Sequence, residues 1–544
     1  MHSEYCHPAR PIGVNLEGMP LIQHAHTADA IRAAEKTLID AASHPDELML
    51  SAARGVADVA RAMLGPGEGR VLLLVGSGVN GGDALYAGAD LLTSRNYQVE
   101  ALLLGRDGKV HQPALDAFVA AGGEVVDGWP STSVGLVIDG ILGLGGSGGL
   151  SEEVAEAIRP ARNSTVLAVD VPSGIGADDG ATPERFLAAD VTVTFGGLRY
   201  AHGLSPHCGE VVMVEAQTHT GRLSEELIRN AGQHRLAWIE PVPVRTPREW
   251  PANIVGLTPQ PLPDLEPGAD DDKYSGGVVG IAAGSDTYPG AAVLCTLGAV
   301  RATNSMVRYA GAQALEVVRA HPEVIATETI ADTGRVQAWV YGPGAGTDSP
   351  DDLAGLLDTD LPVLIDADGL TLLAKHPELR EKVRTRRPAT VLSPHSGEFS
   401  RLCDAMELDT EGLNKVESTA LLAGELKAGV LHKGRATVVA YPSGESVGVT
   451  IVDTGSSWAA TPGSGDVLSG IIGALLAWVS GRYDNSDNSD EPFRVEYLAL
   501  PDAVALQAMA AWLSAQTPDG PAPTSASRIG EAVPRAYARL RGRS

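Results

Sequence analysis

A glycine-rich turn that carries a carboxylate is the part of this sequence best suited to chemistry. It spans residues 461–466 (TPGSGD), and apolar residues at helical spacing follow from Val467 onward. A helix N-terminus presents unpaired backbone N–H groups and a partial positive charge, so the turn from Gly463 to Gly465 is predicted to bind an anion such as a phosphoryl group. Asp466 would then stand beside a transferred phosphate, as a base toward a hydroxyl acceptor or as a metal ligand. The alternative is that Asp466 only caps the helix.

Three other segments of the second half place polar side chains at the ends of short apolar runs. Residues 433–437 (KGRAT) combine a cation, exposed backbone and a hydroxyl, which suits the phosphates of a nucleotide. His395 and Glu398 follow another run, and residues 366–369 (DADG) end a third. Each has a simpler explanation, since Lys433 could be a solvated surface lysine and His395 a structural histidine that caps a loop. Their joint occurrence at strand ends favours a site.

The first half shows a similar arrangement around glycine-rich loops. An apolar run leads into residues 76–83 (GSGVNGGD), and glycines at the carboxyl ends of parallel strands let backbone approach a pyrophosphate. Asn80, Asp139 and Ser173 are predicted to converge there as oxygen ligands for a hard cation. Asp170 ends the strand before Ser173 and is placed to act on a substrate. For each of these residues the alternative is a turn residue or a cap.

The elements that position these residues alternate in a way typical of α/β proteins. Short apolar runs alternate with helical stretches from about residue 30 to 216 and again from 278 onward, which predicts parallel sheets covered by helices. A Pro-rich segment with an acidic run, residues 241–270, interrupts the alternation and favours an extended linker. We therefore predict two domains, residues 1–240 and 271–544. The predicted strands are 71–75, 136–139, 166–171, 191–195 and 211–214 in the first domain and 278–282, 338–341, 363–367, 390–392, 430–431 and 437–440 in the second, with a helix over 84–92.

The composition of the chain restricts the partners, metal sites and locations that can be expected for it. The formal net charge of −27 argues against a nucleic acid or an anionic membrane as partner, because both attract basic proteins. The four cysteines are widely spaced and form no CxxC pair, which favours a reducing compartment and no zinc site. No run approaches the roughly 18 apolar residues of a membrane span and no signal-peptide pattern opens the chain, so the cytoplasm is the expected location. The acidic segment 483–492 (YDNSDNSDEP) is expected to be a mobile loop.

Three segments of the first half carry a family resemblance: GSGVNGGD (76–83), VIDGILGLGG (137–146) and AVDVPSG (168–174). They resemble the YjeF N-terminal family, the NAD(P)H-hydrate epimerases, over roughly residues 25–220. That family interconverts the R and S forms of the hydrated nicotinamide cofactor and binds potassium. The resemblance implies a Rossmann-like three-layer αβα sandwich, K+ on Asn80, Asp139 and Ser173, and Asp170 as a catalytic residue. The residues that it places against the hydrate are Val79, Asn80, Gly81, Gly82, Asp83, Gly143, Leu144, Gly145, Gly146, Ser147, Gly148, Gly149 and Asp170.

Six segments of the second half carry another resemblance: GSDTYPGAA (284–292), YGPGAG (341–346), LIDADGL (364–370), LSPHSGE (392–398), KGRAT (433–437) and PGSGDVLSG (462–470). They resemble the YjeF C-terminal family, which has a ribokinase-like fold and is the ADP- or ATP-dependent NAD(P)H-hydrate dehydratase. In that chemistry the ring hydroxyl is phosphorylated and phosphate then leaves, with Mg2+ offsetting the phosphate charge. The resemblance implies that Asp466 is the base. It places the adenine nucleotide on Lys433, Gly434, Arg435, Ala436, Thr437 and Gly465, and the hydrate on Ala291, Gly344, His395 and Asp466.

The two resemblances together imply a bifunctional repair enzyme for NADHX and NADPHX, expected to form a homo-oligomer. The first domain would equilibrate the epimers, and the second would dehydrate the S form with ADP or ATP. One alternative is a small-molecule kinase of the ribokinase superfamily, which would release a phosphorylated product. Another is a dehydratase whose first domain is a degenerate binding module, because Val79 stands where the epimerases usually have Asn and Ser147 where an Arg is frequent. A dinucleotide dehydrogenase fits less well, since the first glycine loop does not read GxGxxG.

Overall fold

Two compact units make up the described part of the chain. The computed structural model describes residues 23–94, 96–105, 108–144, 148–233, 236–246, 248–444, 446–482 and 495–542. The amino-terminal unit comprises Met19–Ile239 and Thr246–Thr258, and the carboxy-terminal unit comprises Glu240–Arg245 and Pro259–Ser544. The predicted acidic loop, residues 483–492, lies outside the described residues.

The segment predicted as a linker, residues 241–270, contributes ordered structure to each unit. Residues 255–256 pair antiparallel with the strand that contains residues 212–213, and Ile254 is buried in the core of the amino-terminal unit. Leu262 is buried in the core of the carboxy-terminal unit. The chain therefore crosses from one unit to the other more than once in this segment.

The amino-terminal unit is an α/β unit. Its strands are β1 (His24–His26), β2 (Gly69–Val75), β3 (Tyr97–Leu103), β4 (Glu124–Val126), β5 (Leu136–Gly140), β6 (Val166–Val169), β7 (Val191–Phe195), β8 (Leu198–Arg199), β9 (Glu210–Val214), β10 (Gln217–Thr218), β11 (Gly221–Arg222), the first three residues of β12 (Ala237–Pro241) and β13 (Val255–Gly256). Its helices are α1 (Ala28–Asp40), α2 (Glu47–Leu64), α3 (Val79–Leu91), α4 (Gln112–Ala120), α5 (Glu152–Ala157), α6 (Ala201–Leu204) and α7 (Leu223–Arg229). The main sheet has the order β13-β9-β7-β6-β5-β2-β3-β4, and every pair in it is parallel except β13 with β9.

Helices and loops cover both faces of this sheet, as the continuous apolar strands predict. Successive side chains of a strand point to opposite faces, and β2 shows the consequence. Val71, Leu73 and Val75 belong to one buried cluster, which also contains residues of α1, α2 and α3. Leu72 and Leu74 belong to a second cluster, with residues that follow β5 and α5. The three-layer arrangement predicted for this unit is confirmed.

The carboxy-terminal unit is a second α/β unit. Its strands are β14 (Val279–Ala282), β15 (Val307–Ala310), β16 (Ile325–Thr327), β17 (Ala338–Tyr341), β18 (Val363–Ile365), β19 (Thr390–Leu392), β20 (Gly429–His432), β21 (Ala436–Ser443), β22 (Ser446–Asp453), β23 (Gln516–Thr517) and β24 (Gly520–Pro521). Its helices are α8 (Pro289–Ala302), α9 (Ala314–Ala320), α10 (Asp351–Leu357), α11 (Asp368–Lys375), α12 (Pro377–Thr385), α13 (Ser396–Ala405), α14 (Lys415–Leu426), α15 (Ser464–Arg482), α16 (Ala499–Ser514) and α17 (Ala526–Arg541). The strands from β16 to β22 form a sheet in the order β16-β15-β14-β17-β18-β19-β20-β21-β22, parallel as far as β20 and antiparallel beyond it.

Helix α15 is the core helix of the carboxy-terminal unit. By length and composition it could cross a membrane, but 67% of its most apolar window is buried inside the protein. Its backbone lies directly on α8: a Cβ on Gly470 would come within 1.9 Å of the Cys295 carbonyl oxygen, and one on Gly298 within 2.1 Å of that of Val467. Glycine at both positions therefore sets the distance between the two helices.

Candidate active sites

Three side chains predicted to bind a cation meet at neighbouring strand ends of the amino-terminal unit. The strands β6, β5 and β2 are adjacent, and Ser173, Asp139 and Asn80 lie at or after their carboxyl ends. The hydroxyl of Ser173 donates to Asp139 Oδ1 at 2.6 Å, and its backbone N–H donates to Oδ2 at 2.8 Å. The amide of Asn80 donates to the carbonyls of Val169 (2.6 Å) and Leu142 (3.4 Å). The Leu142 N–H donates to Ser173 Oγ at 2.8 Å, which links all three residues.

The surroundings of Asp139 fit a cation. Asp139 is fully buried, and burial raises the pKa of its carboxyl to about 6, although hydrogen bonds from Ser173 and Ile141 lower it. Among the described residues, no positively charged side chain contributes to this pKa. A buried carboxylate without a positive partner is costly. Oxygen atoms of Asn80, Ser173 and the backbone are the kind of ligands that hard cations take.

Asp170, the predicted catalytic residue of this unit, is held by groups that sequence reasoning missed. It follows β6 with a left-handed φ of 66°. Its Oδ1 lies 2.8 Å from Nη2 of Arg199 and accepts from the hydroxyl of Thr194 at 3.1 Å. Nε2 of His202 lies 2.7 Å from its backbone oxygen. The signal available in the sequence was an arginine, Arg199, within the glycine-rich and apolar run that follows β7.

The negative charge of Asp170 acts on two more carboxyl groups, those of Asp83 and Glu35, and the charge of Arg199 acts on Glu35. Burial, followed by the charges of Glu35 and Asp170, raises the pKa of Asp83 well above its ordinary value. Burial raises the pKa of Glu35 to about 7, with Arg199 acting in the opposite sense and Asp170 adding to the rise. Oδ1 of Asp83 and Nε of Arg199 are buried without a hydrogen-bond partner in the described part of the chain. Burial thus disfavours the charged form of both carboxyl groups, and the two unpartnered polar atoms remain for a ligand.

The glycine loops let backbone segments approach closely beside this cluster. A Cβ on Gly81 would lie 2.2 Å from the carbonyl oxygen of Gly76, and one on Gly143 would lie 2.3 Å from Oδ1 of Asn80. Val79 is the first residue of α3 and is 63% exposed, so its side chain takes no part in the core. Gly148 and Gly149 have φ of 82° and 91°. The remaining predicted loop residues, Gly145, Gly146 and Ser147, lie outside the described residues.

In the carboxy-terminal unit, two carboxylates and a lysine meet beside α15. Nζ of Lys433 lies 2.8 Å from Oδ1 of Asp366, and the hydroxyl of Ser469 donates to Oδ2 of the same carboxylate at 2.6 Å. Burial raises the pKa of Asp466 to about 6, the negative charge of Asp366 adds to the rise, and Lys433 opposes it. Asp466 is therefore mostly ionised at neutral pH yet able to take up a proton, as a general base must. Ser469 was not foreseen from the sequence.

The predicted anion turn forms the start of α15. Ser464 is the first helical residue and Asp466 lies in the first turn, so Asp466 is not the residue that caps the helix from outside. Gly463 has a φ of 81°, which favours glycine. A Cβ on Gly465 would meet only Nζ of Lys433, at 3.7 Å, so the space in front of this turn is open. The helix N-terminus and the lysine thus face the same space, which suits a phosphate.

The predicted nucleotide loop, residues 433–437, is fixed largely by its own contacts. Arg435 forms an ion pair with Asp453. The hydroxyl of Thr437 donates to the carbonyl of Gly434 at 3.2 Å, and Thr437 is buried. Its hydroxyl therefore stabilises the turn, whereas the sequence interpretation gave it to the nucleotide. Backbone groups and the side chain of Lys433 remain for a phosphate.

His395 has the capping role that one of its two sequence interpretations gave it, and its contact with the hydrate remains a prediction. It is the N-cap of α13: its Nδ1 accepts from the N–H groups of Gly397 (3.0 Å) and Glu398 (3.4 Å), while the Glu398 carboxylate accepts from the His395 N–H at 2.9 Å. Its side chain is nevertheless 61% exposed. The ring is thus held in place by the cap, and its Nε2 lies 3.5 Å from Oε1 of Glu398 on an otherwise exposed side chain.

Gly344 and Ala291 come together, as their assignment to one ligand requires. Gly344 follows β17 with a φ of 61°, and a Cβ on it would lie 2.8 Å from Cβ of Ala291, near the start of α8. The strands β17, β18, β19 and β20 are consecutive in the sheet. Gly344, Asp366, His395 and Lys433 thus follow four adjacent strand ends.

Comparison with known proteins matches a different family model to each half of the chain. The family model described as NAD(P)H-hydrate dehydratase matches residues 279–516, and the one described as YjeF-related protein N-terminus matches residues 45–201. The chain is similar to the "Bifunctional NAD(P)H-hydrate repair enzyme Nnr" of Corynebacterium glutamicum, with 43% identity over 94% of this chain and 98% of that protein. The protein of the same name from Mycobacterium tuberculosis is 46% identical over 84% of this chain and 89% of its own length. A crystal structure of ADP/ATP-dependent NAD(P)H-hydrate dehydratase from Bacillus subtilis, co-crystallised with ATP/Mg2+, is 26% identical with a TM-score of 0.41, covering 52% of this chain and 95% of that one.

Proposed function

The chain belongs to the family of bifunctional NAD(P)H-hydrate repair enzymes, and from this premise we propose what each unit does. The amino-terminal unit epimerises R- and S-NADHX and R- and S-NADPHX. The carboxy-terminal unit dehydrates the S form, converting ADP to AMP and phosphate, or ATP to ADP and phosphate. The observation that carries the proposal is the meeting of Lys433, Asp366 and Asp466 at the N-terminus of α15, since it combines an anion site with a base.

Dehydration needs a better leaving group than hydroxide, and the carboxy-terminal site is arranged to make one. Asp466 takes the proton of the ring hydroxyl while that oxygen receives the terminal phosphoryl group of the nucleotide. The N–H groups of the Gly463–Gly465 turn and Nζ of Lys433 hold the phosphoryl oxygens. The ring nitrogen then pushes phosphate out and reduced nicotinamide is restored. Asp366 keeps Lys433 oriented through their 2.8 Å contact.

Mg2+ accompanies the nucleotide in this proposal and offsets the charge of its phosphates. Of the two carboxylates at this site, Asp466 fits the role of the base better than Asp366. Its carboxylate is mostly buried beside the turn, and in the described ranges it takes part in no ion pair, whereas Asp366 already binds Lys433 and Ser469.

Epimerisation requires a bond at the hydroxyl-bearing carbon to break and reform on the other face, which calls for a base and an acid side by side. Asp170, held by Arg199, is the proposed base. The raised pKa values of Asp83 and Glu35 keep a proton nearby at neutral pH. K+ on Asn80, Asp139 and Ser173 would compensate the buried charge of Asp139 and fix the loop that follows β5.

Recovery of reduced nicotinamide absorbance tests both activities in one experiment. Purified full-length protein with Mg2+, KCl and ADP or ATP is added to a mixture of R- and S-NADHX, and the epimers are also followed by chromatography. We expect complete recovery of NADH from both epimers, at a rate above spontaneous epimerisation. Asn80→Ala serves as the control for the amino-terminal unit.

The alternatives give different outcomes. Recovery from the S form alone would leave the amino-terminal unit as a binding module. A phosphorylated product without NADH would indicate a small-molecule kinase of the ribokinase superfamily instead. Homo-oligomerisation and the cytoplasmic location remain predictions.

A further inference from the structure

Lys415 occupies a position that local helix energetics do not favour. It is the first residue of α14, behind the capping box formed by Asn414 and Glu417. A cation at a helix N-terminus opposes the helix dipole. The hydroxyl of Thr419 donates to the carbonyl of Lys415 at 2.6 Å, an ordinary helix contact that leaves the ammonium group free to reach elsewhere.

The ammonium group of Lys415 reaches under the proposed nucleotide loop. Its Nζ donates to the carbonyl of Ala436 at 2.7 Å and to that of Lys433 at 3.3 Å, so it ties both ends of the loop together. A Cβ on Gly434 would lie 2.7 Å from this Nζ. Lys415 is therefore in close contact with the proposed nucleotide loop, and the geometry of the loop depends on this lysine.

The other cations around this loop have carboxylate partners, whereas the hydrogen bonds of the Lys415 ammonium group within the described chain all go to carbonyl groups. Lys433 pairs with Asp366 and Arg435 with Asp453. Burial lowers the pKa of Lys415 to about 8, and no acidic group of the described chain counteracts that effect. His432, on β20, feels the same excess of positive charge, because burial and then the charges of Lys415 and His395 lower its pKa to about 3.

We propose that Lys415 is a positioning residue of the nucleotide site, which shapes the loop at residues 433–436 and supplies a positive charge that the nucleotide phosphates stabilise. This inference rests on the proposed use of ADP or ATP by the carboxy-terminal unit. An anion bound at the loop raises the pKa of the ammonium group, so nucleotide binding above pH 8 takes up a proton from solvent. Affinity for ADP therefore falls as the pH rises through 8, because the free site must first be protonated.

Calorimetry of ADP binding measures this proton directly and does not depend on turnover. ADP with Mg2+ is titrated into full-length protein at pH 8.5 in two buffers of different ionisation enthalpy. For the wild type we expect uptake of roughly half a proton or more per bound ADP, since a group with a pKa near 8 is mostly deprotonated there. Lys415→Arg keeps a charge that does not titrate in this range, so it should show no uptake. Lys415→Met should bind ADP more weakly at pH 7, without uptake at pH 8.5.

Steady-state kinetics distinguish a positioning role of Lys415 from a general loss of structure in its variants. The KM for ADP of the wild type should rise about tenfold between pH 7 and pH 9, as expected for one proton lost near pH 8. The Met variant should show a raised KM without this pH dependence and with kcat nearly unchanged. Lys375→Met, a surface lysine of α11, is the matched control, and unfolding curves of all variants report whether they fold.

The outcomes distinguish this inference from the proposed function. NADH recovery by the wild type together with no proton uptake, or with the same uptake by Lys415→Arg, would overturn the role of Lys415 and leave the dehydratase intact. ADP binding with lysine-dependent uptake but no NADH recovery would overturn the dehydratase and retain the nucleotide site. Absence of binding of both ADP and ATP by the folded wild type would overturn both.

Discussion

The two candidate sites stand at equivalent places, the carboxyl ends of parallel strands, but they balance charge in opposite ways. The amino-terminal site gathers Glu35, Asp83 and Asp170 around the buried Arg199, so acids outnumber the buried cation and protons make up the difference. The carboxy-terminal site pairs Lys433 with Asp366 and adds Lys415 and a helix N-terminus. Protonated acids suit a reaction assisted by general acid–base catalysis, whereas two lysines and a helix N-terminus suit the binding of phosphate.

The difference shows how one architecture supports two chemistries. A parallel sheet places loop residues together at one edge, whatever their type. The ratio of acids to cations among those residues then decides whether the site holds a proton or an anion. The predictions that follow change that ratio at one site and use the other site as the internal control.

The largest effect is expected for Asp466→Asn. It removes the proposed base but keeps the shape of the turn, so dehydration of S-NADHX should fall by about 10²–10⁴-fold, the usual contribution of a general base. Epimerisation should be unchanged. Nicotinamide absorbance and chromatographic epimer ratios measure the two. Loss of both activities together would mean that the units are not functionally separate.

Asp170→Asn should have the opposite effect, a loss of epimerisation with dehydration unchanged. Epimerisation should fall by about 100-fold or more, as expected for loss of a proton acceptor, while pure S-NADHX should still be dehydrated at the wild-type rate. The substitution also leaves Arg199 buried without its carboxylate, at a cost of about 3–5 kcal/mol, so thermal unfolding must be recorded and assays kept below the transition. Epimerisation at the wild-type rate in the folded variant would reject Asp170 as the base.

A smaller effect, a shift in the pH dependence of dehydration, is expected for Lys433→Met. In the wild type, dehydration should decline as the pH falls below about 6, where Asp466 gains a proton. Lys433 lowers the pKa of Asp466, so its removal should move this acid limb to higher pH, in addition to weakening nucleotide binding. The measurement is kcat for S-NADHX with saturating ADP between pH 5 and 8. An unmoved acid limb would assign the titration to a different group.

Glu35→Gln should alter the pH dependence of stability. A carboxyl whose folded pKa is raised favours folding when protonated, and that stabilisation is lost as the pH rises from the unfolded value near 4.5 to about 7. The wild type should therefore lose up to about 3 kcal/mol more than the variant between pH 4.5 and pH 8. Denaturant unfolding at several pH values measures this. Parallel curves for the two proteins would show that Glu35 is not held protonated.

The smallest effect is expected for Val79→Asn, which restores the residue usual in the epimerase family. Val79 is exposed, so stability should change by less than about 0.5 kcal/mol. If the amino-terminal unit is already active, epimerisation should change by no more than a few fold. A large gain of epimerase activity would instead support a degenerate module in the natural chain.

The sequence predicted most of the central strands and the loops after them, but it missed strands towards the sheet edges, including the buried β3 and β15. Continuous apolar runs such as β5 and β7 were placed almost to the residue, because strands buried on both faces have a strong signal. The short β4 and β16 were missed, since three residues carry no readable periodicity. The start of α15 was placed too late, because Ser464 and Gly465 are weak helix formers that tertiary packing draws into the helix.

The site residues also divide into those that the sequence predicted and those that it did not. Asp139, Asp170, Lys433 and Asp466 lie in or next to glycine-containing segments at strand or helix ends, where a polar residue beside an apolar run is conspicuous. Arg199, Glu35, Lys415 and Ser469 reach the sites from elements whose sequences look like ordinary helix or strand ends. Their participation depends on which segments the fold brings together, and spacing along the chain does not show it.

The crossing of the chain between units near residue 240 decides how the two halves can be studied apart. A gene cut at residue 240 would deprive the amino-terminal half of β13, of the buried Ile254 and of Trp250, whose indole N–H donates to Glu210 at 2.7 Å. The edge strand β9 would then be left with unpaired backbone groups, a template for aggregation. If such a fragment were inactive, the cause could be the lost edge strand and not a lack of activity in the native unit. The two units should therefore be studied by point variants in the whole chain, or with an amino-terminal fragment that extends through Thr258.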